Sequence, residues 1–277
     1  MNMLKRQILI AAAAFLAVAA FSQNKTLLIS ESGLPYTEQS WFAYGVGNEL
    51  DATDITNGWN EGRRVVTAAY TSEGWLVIMA KNTGYIRQSF IVSEEWPEQW
   101  IADKTRENYA VTALSRSERE WLVVMSQGSG ITRQTVWCNS WQELAPWITE
   151  QKGNGYFITD LAYDGKAWTV VMSQNSKFTS QGYFWADSID DMLSRVQNDV
   201  WGRGFNLHQV EYGDGKYVVV FGNYRTGDNR FQNLQVNPKD FKGYIREQWD
   251  SKHISISYVG GGHPEASKKS SWKLFGK

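Results

Sequence analysis

A sequence unit of about 47 residues recurs along nearly the whole chain, and this periodicity constrains the fold more than any other feature. The clearest copy combines residues 155–159, residues 168–173 and Gln181. One aromatic residue marks each copy at spacings of 46, 47 and 49 residues: Trp75, Trp121, Trp168 and Tyr217. Self-similarity at such a period is typical of repeat folds, in which each unit packs against its neighbours.

Each unit contains three predicted strands and a segment of helical character. In one copy the first strand covers residues 65–70, and the second, residues 75–79, is apolar throughout, as expected of a strand buried on both faces. The third strand alternates around Gln88. Asp164-Gly165 and Asp214-Gly215 predict hairpins between first and second strands. Trp-bearing segments follow, each compatible with a short helix or a fourth strand: 94–100, 140–147 and 188–196.

The two ends of the chain together supply a fifth unit. Residues 27–30 match a second strand, residues 36–41 match a third, and residues 253–258 match a first strand. A circular array brings its ends together within one unit and leaves no exposed strand edge there. The sequence therefore predicts an all-β, five-bladed β-propeller of WD40-like type, closed by pairing of the N- and C-terminal strands, with short helical segments between blades.

The terminal segments lie outside the repeats. Lys5 and Arg6 precede an apolar run over residues 8–21, which is shorter than the roughly 20 residues of a membrane-spanning helix. We therefore expect a signal peptide at 1–22, a propeller domain at 23–259 and a flexible basic tail at 260–277, with docking of Trp272 and Phe275 as the alternative. The protein is expected to be an exported monomer without a membrane span, either periplasmic or secreted.

Composition excludes several classes of function. The net charge of −1 argues against electrostatic attraction to nucleic acid. The single cysteine, Cys138, excludes an intrachain disulfide, and its aromatic strand predicts a buried thiol. With three histidines and no zinc-type spacing, we expect no metal, cofactor or nucleophile triad. Residues 51–58 only faintly suggest a calcium loop, because the bidentate Glu is missing.

The repeat motif resembles a tandem-repeat domain of unknown function. Its pattern is Gly-Tyr-x-Ile-Thr, then Trp-x-Val-Val-Met-Ser, then Gln, carried here by residues 155–159, residues 168–173 and Gln181. Similar repeats follow the kinase domain of plant casein-kinase-I-like proteins and occur in bacterial caspase-like proteins. The resemblance covers about residues 26–259 and implies an accessory or interaction module. The kinase activity is not implied, since the chain lacks the Gly-rich, His-Arg-Asp and Asp-Phe-Gly motifs.

Two sets of repeated polar residues are expected to be structural in the first place. The glutamines recur once per unit, and a buried amide bonded to backbone would explain them: Gln39, Gln88, Gln134, Gln181 and Gln232. A second set is predicted to form one layer of the first strands: Thr67, Thr112, Thr159, His208 and Ser255. His208 is the odd member, either a hydrogen-bonded core histidine or a mark of functional asymmetry.

The leading functional hypothesis is a non-catalytic exported binding module with lectin-like recognition of a glycan or cell-surface polymer. Aromatic rings outside the repeat positions would stack on sugars, and the loops after the second strands would add amides and hydroxyls. The candidate ligand-binding residues are Trp137, Trp185, Asn82, Gln127, Ser129, Gln174, Asn175 and Asn223. The alternative is a protein–protein interaction scaffold. A glycosidase comes third, because the first strands offer only Asp160 and Glu211 as carboxylates.

Overall fold

The described part of the chain is mostly β, in agreement with the predicted class. A computed structural model describes residues 26–225, 231–238, 240–252, 255–261 and 272–275. The predicted signal peptide and most of the predicted tail lie outside these ranges. The strands of the described residues form five separate antiparallel sheets, four of three strands and one of four.

A nearly fully buried middle strand lies at the centre of each sheet. The middle strands are β1 (Leu27–Glu31), β4 (Gly74–Lys81), β7 (Trp121–Gln127), β10 (Trp168–Gln174) and β13 (Lys216–Tyr224). In β4, all side chains from Trp75 to Ala80 are at most 1 % exposed. The continuous apolar sequence of these strands thus corresponds to burial on both faces.

Each middle strand pairs on one side with an inner strand. The inner strands are β3 (Arg64–Thr71), β6 (Ala110–Arg116), β9 (Phe157–Tyr163), β12 (Asn206–Gly213) and β15 (Ser255–Gly260). The predicted Asp-Gly hairpins are confirmed. Asp214 and Gly215 have φ angles of +51° and +73°, the left-handed conformations that a two-residue hairpin loop requires. In the longer turn, Asp164 Oδ1 accepts the N–H groups of Lys166 and Ala167.

An outer strand completes each sheet and runs parallel to the inner strand, because both are antiparallel to the middle strand. The outer strands are β2 (Thr37–Tyr44), β5 (Arg87–Ser93), β8 (Arg133–Asn139), β11 (Phe178–Ala186) and β14 (Gln232–Val236). Parallel strands need a crossover, and a helix supplies it. These helices are α1 (Ala52–Asn60), α2 (Glu98–Arg106), α3 (Trp141–Gly153), α4 (Ile189–Arg195) and α5 (Phe241–Lys252). A π turn (Val196–Val200) and a 3₁₀ turn (Trp201–Arg203) extend α4.

The Trp-bearing segment of each unit, for which the sequence allowed either a short helix or a fourth strand, therefore leads into a helix. In α3 the buried residues Trp141, Leu144, Trp147 and Ile148 share one face, with the spacing of an amphipathic helix packed on a sheet. They pack with Ile158, Leu161 and Trp168 in one hydrophobic cluster.

The sheets do not coincide with the sequence units, and this corrects one expectation. The third strand of each unit is the outer strand of the next sheet, so the sheet that holds the N-terminal strand has the order β14-β1-β15. Of the two N-terminal strands assigned to the fifth unit, only β1 belongs to this sheet, whereas β2 pairs with β4. The crossover helix explains the shift, because it returns the chain to the sheet of the outer strand before it, with room for the middle strand between outer and inner strands.

Neighbouring sheets contact one another through their inner strands. β3 contacts β6, β6 contacts β9, β9 contacts β12, β12 contacts β15, and β15 contacts β3 in turn. Side chains also link the inner strands: Thr67 Oγ1 accepts the Val259 N–H at 3.0 Å, and Ser115 Oγ accepts the Tyr70 N–H at 2.8 Å. The first strand of the described residues, β1, pairs with the last inner strand, β15.

Part of the predicted flexible tail is a strand. β16 (Trp272–Phe275) pairs antiparallel with the edge of outer strand β8, with Trp272 opposite Cys138 and Phe275 opposite Thr135. For these four residues the backbone agrees with docking on the body, the alternative to a flexible tail. An exposed strand edge offers unpaired N–H and C=O groups, which accounts for the added strand.

Candidate functional site

Every inner strand has a β-bulge at the equivalent position, and the bulged residues lie at the candidate site. Each ladder skips one residue, so that residue has no direct partner on the middle strand. The five skipped residues are Val66, Thr112, Thr159, His208 and Ser257. The layer predicted from sequence was therefore wrong at two positions: Val66 stands where Thr67 was expected, and Ser257 where Ser255 was expected. All five skipped residues border one cavity.

This cavity has a volume of about 200 Å³ and lies against the inner strands. Its wall also includes Thr67, Asp160 and Tyr258 from these strands. The loops after the middle strands contribute the remaining polar residues, Ser129, Ser176 and Lys177. Pockets that enclose a whole drug-sized ligand usually measure about 300–1,000 Å³. The cavity therefore has room for a single ring or a terminal group of a larger ligand.

Four large side chains recur at the rim of the cavity, each three residues before a repeated glutamine. They are Tyr36, Tyr85, Ile131 and Phe178. Sequence analysis missed them, although their fixed offset from the glutamine was a usable signal. Burial, followed by the negative charge of Asp160, raises the pKa of Tyr85 to about 12. Tyr85 also hydrogen-bonds the side chain of Thr112, another residue of the cavity wall.

Asp160 begins a buried polar network that crosses three inner strands. Its Oδ1 accepts the Leu161 N–H at 2.8 Å and Gln209 Nε2 at 2.8 Å. Burial raises the pKa of Asp160 from its ordinary 3.8 to about 7, against the opposing effect of these hydrogen bonds. Gln209 Nε2 also donates to the Tyr258 hydroxyl at 2.9 Å. A carboxyl, an amide and a phenol thus occupy the residue after the bulge in three adjacent strands.

Glu211 closes the network behind Tyr258. Its Oε2 accepts the Tyr258 hydroxyl at 2.8 Å and the Gly261 N–H at 3.2 Å. Burial holds the pKa of Glu211 well above its ordinary value, and the charge of Asp160 raises it further. Burial also raises the pKa of Tyr258, with the two carboxylates adding to the effect. Of the two carboxyl groups, Asp160 lines the cavity and Glu211 does not.

His208 lies on the same wall as a neutral group. Its Nε2 donates to the Thr159 carbonyl oxygen at 3.3 Å, and its ring meets Phe178 edge-on at 4.7 Å between centroids. Burial, together with the charge of Lys177, lowers the pKa of His208 well below its usual value. Lys177 Nζ itself lies over the Tyr224 ring, 4.8 Å from its centroid. His208 is thus a hydrogen-bonded histidine, the first of the two readings that the sequence allowed, and it also borders the cavity.

The repeated glutamines are structural, as predicted. In all five, Oε1 accepts the N–H, and Nε2 donates to the carbonyl, of one inner-strand residue just before the bulge, at 2.6–3.1 Å. The partners are Ile256, Val65, Val111, Ile158 and Leu207. Each glutamine tethers the outer strand of one sheet to the inner strand of the preceding sheet, which satisfies two backbone groups that the bulge frees.

The two predicted tryptophans lie away from the cavity. Trp137, on β8, packs edge-to-face with Trp147 at 5.4 Å, and Trp185, on β11, packs against Trp141 at 4.6 Å. Both are half-buried against the hydrophobic cluster beneath α3. Their rings therefore contribute to packing between helix and sheet.

Most of the predicted polar residues bind backbone of adjacent loops. Asn82 Nδ2 donates to the Pro35 carbonyl, Asn175 Nδ2 to the Gly130 carbonyl, and Asn223 Nδ2 to Ser180 Oγ. Gln127 and Gln174 donate in the same way to the carbonyls that follow α2 and α3, at Glu107 and Asn154. Of the eight predicted residues, only Ser129 lines the cavity. The structure thus brings the predicted loops to the cavity, but through other side chains.

The remaining sequence expectations concern single groups. Cys138 is fully buried, as predicted, and burial raises the pKa of its thiol to about 12. Within the described ranges no cluster of three or more His, Cys, Asp or Glu side chains could hold a metal ion. No helix among the described residues is both long and apolar enough to span a membrane.

Comparison with known proteins gives one match. The model of a family described as "Domain of unknown function (DUF7477)" matches residues 10–141, just under half of the chain. The match ends where α3 begins, so it includes the first two complete sheets. Neither the curated proteins nor the solved structures contain a match.

Proposed function

We propose that the protein is a non-catalytic, exported binding module: a closed five-bladed β-propeller whose inner strands present a central cavity to one end of a glycan. The observation that carries this proposal is the cavity itself. Its wall combines flat aromatic rings with hydroxyl groups and the carboxyl group of Asp160, which can stack on a sugar ring and hydrogen-bond its hydroxyls.

Two features of the described residues support closure of the propeller. The inner strands contact one another in sequence, and β15, the last of them, contacts β3, the first. β1 pairs with both β14 and β15, so one sheet contains both ends of the described repeat region. Export rests on the signal-like residues 1–22. The motif at residues 155–159 and 168–173 further suggests kinship with the accessory repeats of casein-kinase-I-like and caspase-like proteins.

A glycan-array assay on the purified protein tests the proposal. We expect specific binding that free sugar competes, and we expect Tyr85→Ala to weaken it at least tenfold, because the variant removes a ring at the cavity rim. Ile86→Ala is the matched control: Ile86 is adjacent in sequence, 69 % exposed and outside the cavity wall. A blank array, or equal binding by both variants, would refute recognition of glycans by this cavity. Loss of binding only in Trp137→Ala would place the site on the outer strands instead.

A second function, docking of another exported protein, is favoured by β16. The edge of β8 accepts an added strand in the same molecule, and an extended segment of a partner could pair with that edge in the same way. Removing residues 262–277 would then increase capture of the partner, whereas glycan binding in the cavity would be unchanged.

A further inference from the structure

We propose that the ligand group that enters the cavity carries a positively charged organic ammonium, as in an amino sugar with a free amine, and that Asp160 is its counter-ion. This inference rests on the proposed function and specifies the chemical class of the ligand.

The first argument is the absence of a cation for two buried carboxyl groups. Asp160 and Glu211 are each 7 % exposed and belong to one hydrogen-bonded network. Among the described residues, neither forms a salt bridge, and their hydrogen-bond donors are an amide, a phenol and backbone N–H groups. Burial disfavours the ionised form of a carboxyl group that has no cation beside it, and an opposite charge nearby favours that form. A cation delivered by the ligand would complete the pair at the carboxyl that borders the cavity.

Hydrogen-bond capacity is also left over in the cavity wall and behind it. Ser176 is 5 % exposed and lines the cavity, yet its Oγ has no partner in the described part of the chain. Gln209, fully buried beside Asp160, likewise has an unpartnered Oε1 within the described ranges. An ammonium group has three N–H donors and no acceptor, so it suits a site with a carboxylate and spare oxygen acceptors.

The aromatic rim suits the same chemistry. Tyr36, Tyr85 and Phe178 border the cavity, and the face of an aromatic ring attracts a cation within about 6 Å of its centroid. Phe178 already has one such contact, with Lys177 Nζ at 5.6 Å from its centroid. The Tyr36 and Tyr85 rings could therefore attract a charged amine to the cavity while still stacking on the sugar, whereas Phe178 is fully buried.

The other ionisable groups at the cavity restrict where the amine can bind. Lys177 acts on His208, but it is not among the groups that shift the pKa of Asp160. Tyr85, Tyr258 and Glu211 are the titratable neighbours of Asp160, and burial raises the pKa of each of them. Asp160 is therefore the carboxyl group of the cavity wall that an incoming cation would meet.

Titration calorimetry tests this inference with two matched sugars: a β-linked glucosamine tetramer and its fully N-acetylated form. At pH 6.5 we expect the amine form to bind at least tenfold more tightly. Asp160→Asn should remove at least about 30-fold of that affinity, as expected when one partner of a buried charge pair is lost. Because the pKa of Asp160 is about 7, affinity for the amine should rise about 20-fold between pH 5.0 and 6.5, and Asp160→Asn should abolish this rise.

Asp164→Asn is the control variant. Asp164 lies in the turn after the same strand and, like Asp160, accepts backbone N–H groups through Oδ1, but it does not line the cavity. Equal binding of the two tetramers would overturn the ammonium inference and leave the glycan proposal standing. Binding of neither would overturn both. Amine binding that Asp160→Asn leaves unchanged would exclude Asp160 as the counter-ion.

Discussion

Substituting Asp160 by Asn should stabilise the protein at alkaline pH, although it removes a buried carboxyl group from a hydrogen-bonded network. Burial raises the pKa of Asp160 from 3.8 to about 7. Between these values the folded state holds a proton that the unfolded state releases, so rising pH favours unfolding. The associated stability is complete below pH 3.8 and is lost as pH rises toward 7.

The size of the effect follows from the same two values. At about 1.4 kcal/mol for each tenfold change in proton affinity, the difference between 3.8 and about 7 corresponds to about 4 kcal/mol. About 3 kcal/mol of this is lost between pH 5 and pH 8. Asparagine cannot ionise, yet its Oδ1 can still accept from Leu161 and Gln209. The variant should therefore gain about 3 kcal/mol relative to the wild type over this interval.

Urea unfolding at pH 5 and pH 8, followed by the fluorescence of the fourteen tryptophans, measures this gain. The charge of Asp160 also raises the pKa of Glu211, so Asp160→Asn eases the ionisation of Glu211 as well and widens the stability gap in the same direction. Asp187→Asn is the control: Asp187 is 82 % exposed and pairs with Lys216 at the surface, so its loss should cost less than about 1 kcal/mol at either pH. If the stability gap between Asp160→Asn and the wild type does not widen from pH 5 to pH 8, the argument from burial is wrong.

Two further predictions concern the frame around the site. Gln134→Ala should lower the free energy of unfolding in urea by about 2–4 kcal/mol, because the N–H and C=O of Val111 lose their partners. Gln127→Ala is the control: it breaks one exposed hydrogen bond and should cost less than about 1 kcal/mol. Equal losses in the two variants would contradict the structural role of the repeated glutamines. A chain ending at Gly261 lacks β16, so amide hydrogen exchange should become faster in residues 135–138 of β8, while the unfolding midpoint stays unchanged. Unaltered exchange would show that β16 does not protect that edge.

The features of the fold that could be predicted are those that depend on residues within one repeat. The apolar run from Trp75 to Met79 reveals a strand buried on both faces, whatever sheet it joins. Asp214-Gly215 identifies its turn, because few other dipeptides adopt two left-handed conformations in succession. Gln134 and its equivalents could be recognised because one backbone residue, freed by the same bulge, needs the same amide each time.

What sequence could not provide depends on contacts between units. A bulge adds one residue without a sequence mark, so Val66 and Thr67 could not be told apart, nor Ser255 and Ser257. The pairing of β2 with β4 depends on the path of a crossover helix, which no local pattern encodes. The rim residues share a position but not a side chain, so Tyr85, Ile131 and Phe178 do not stand out as a motif.

The residue after the bulge shows where the repeats stop being equivalent. In β3 and β6 it is Thr67 and Ala113, small side chains that suit a buried position, whereas the three other inner strands carry Asp160, Gln209 and Tyr258, which bond to one another. Packing alone does not explain this change, because burial makes the ionised form of Asp160 costly and an uncharged side chain there is expected to strengthen the fold above neutral pH. Sites where sequence departs from the best solution for stability are frequently binding sites. The destabilising carboxyl group borders the cavity, as does the Ser176 hydroxyl, which has no partner among the described residues. An incoming cation is therefore the group that would turn this carboxyl into a favourable contact.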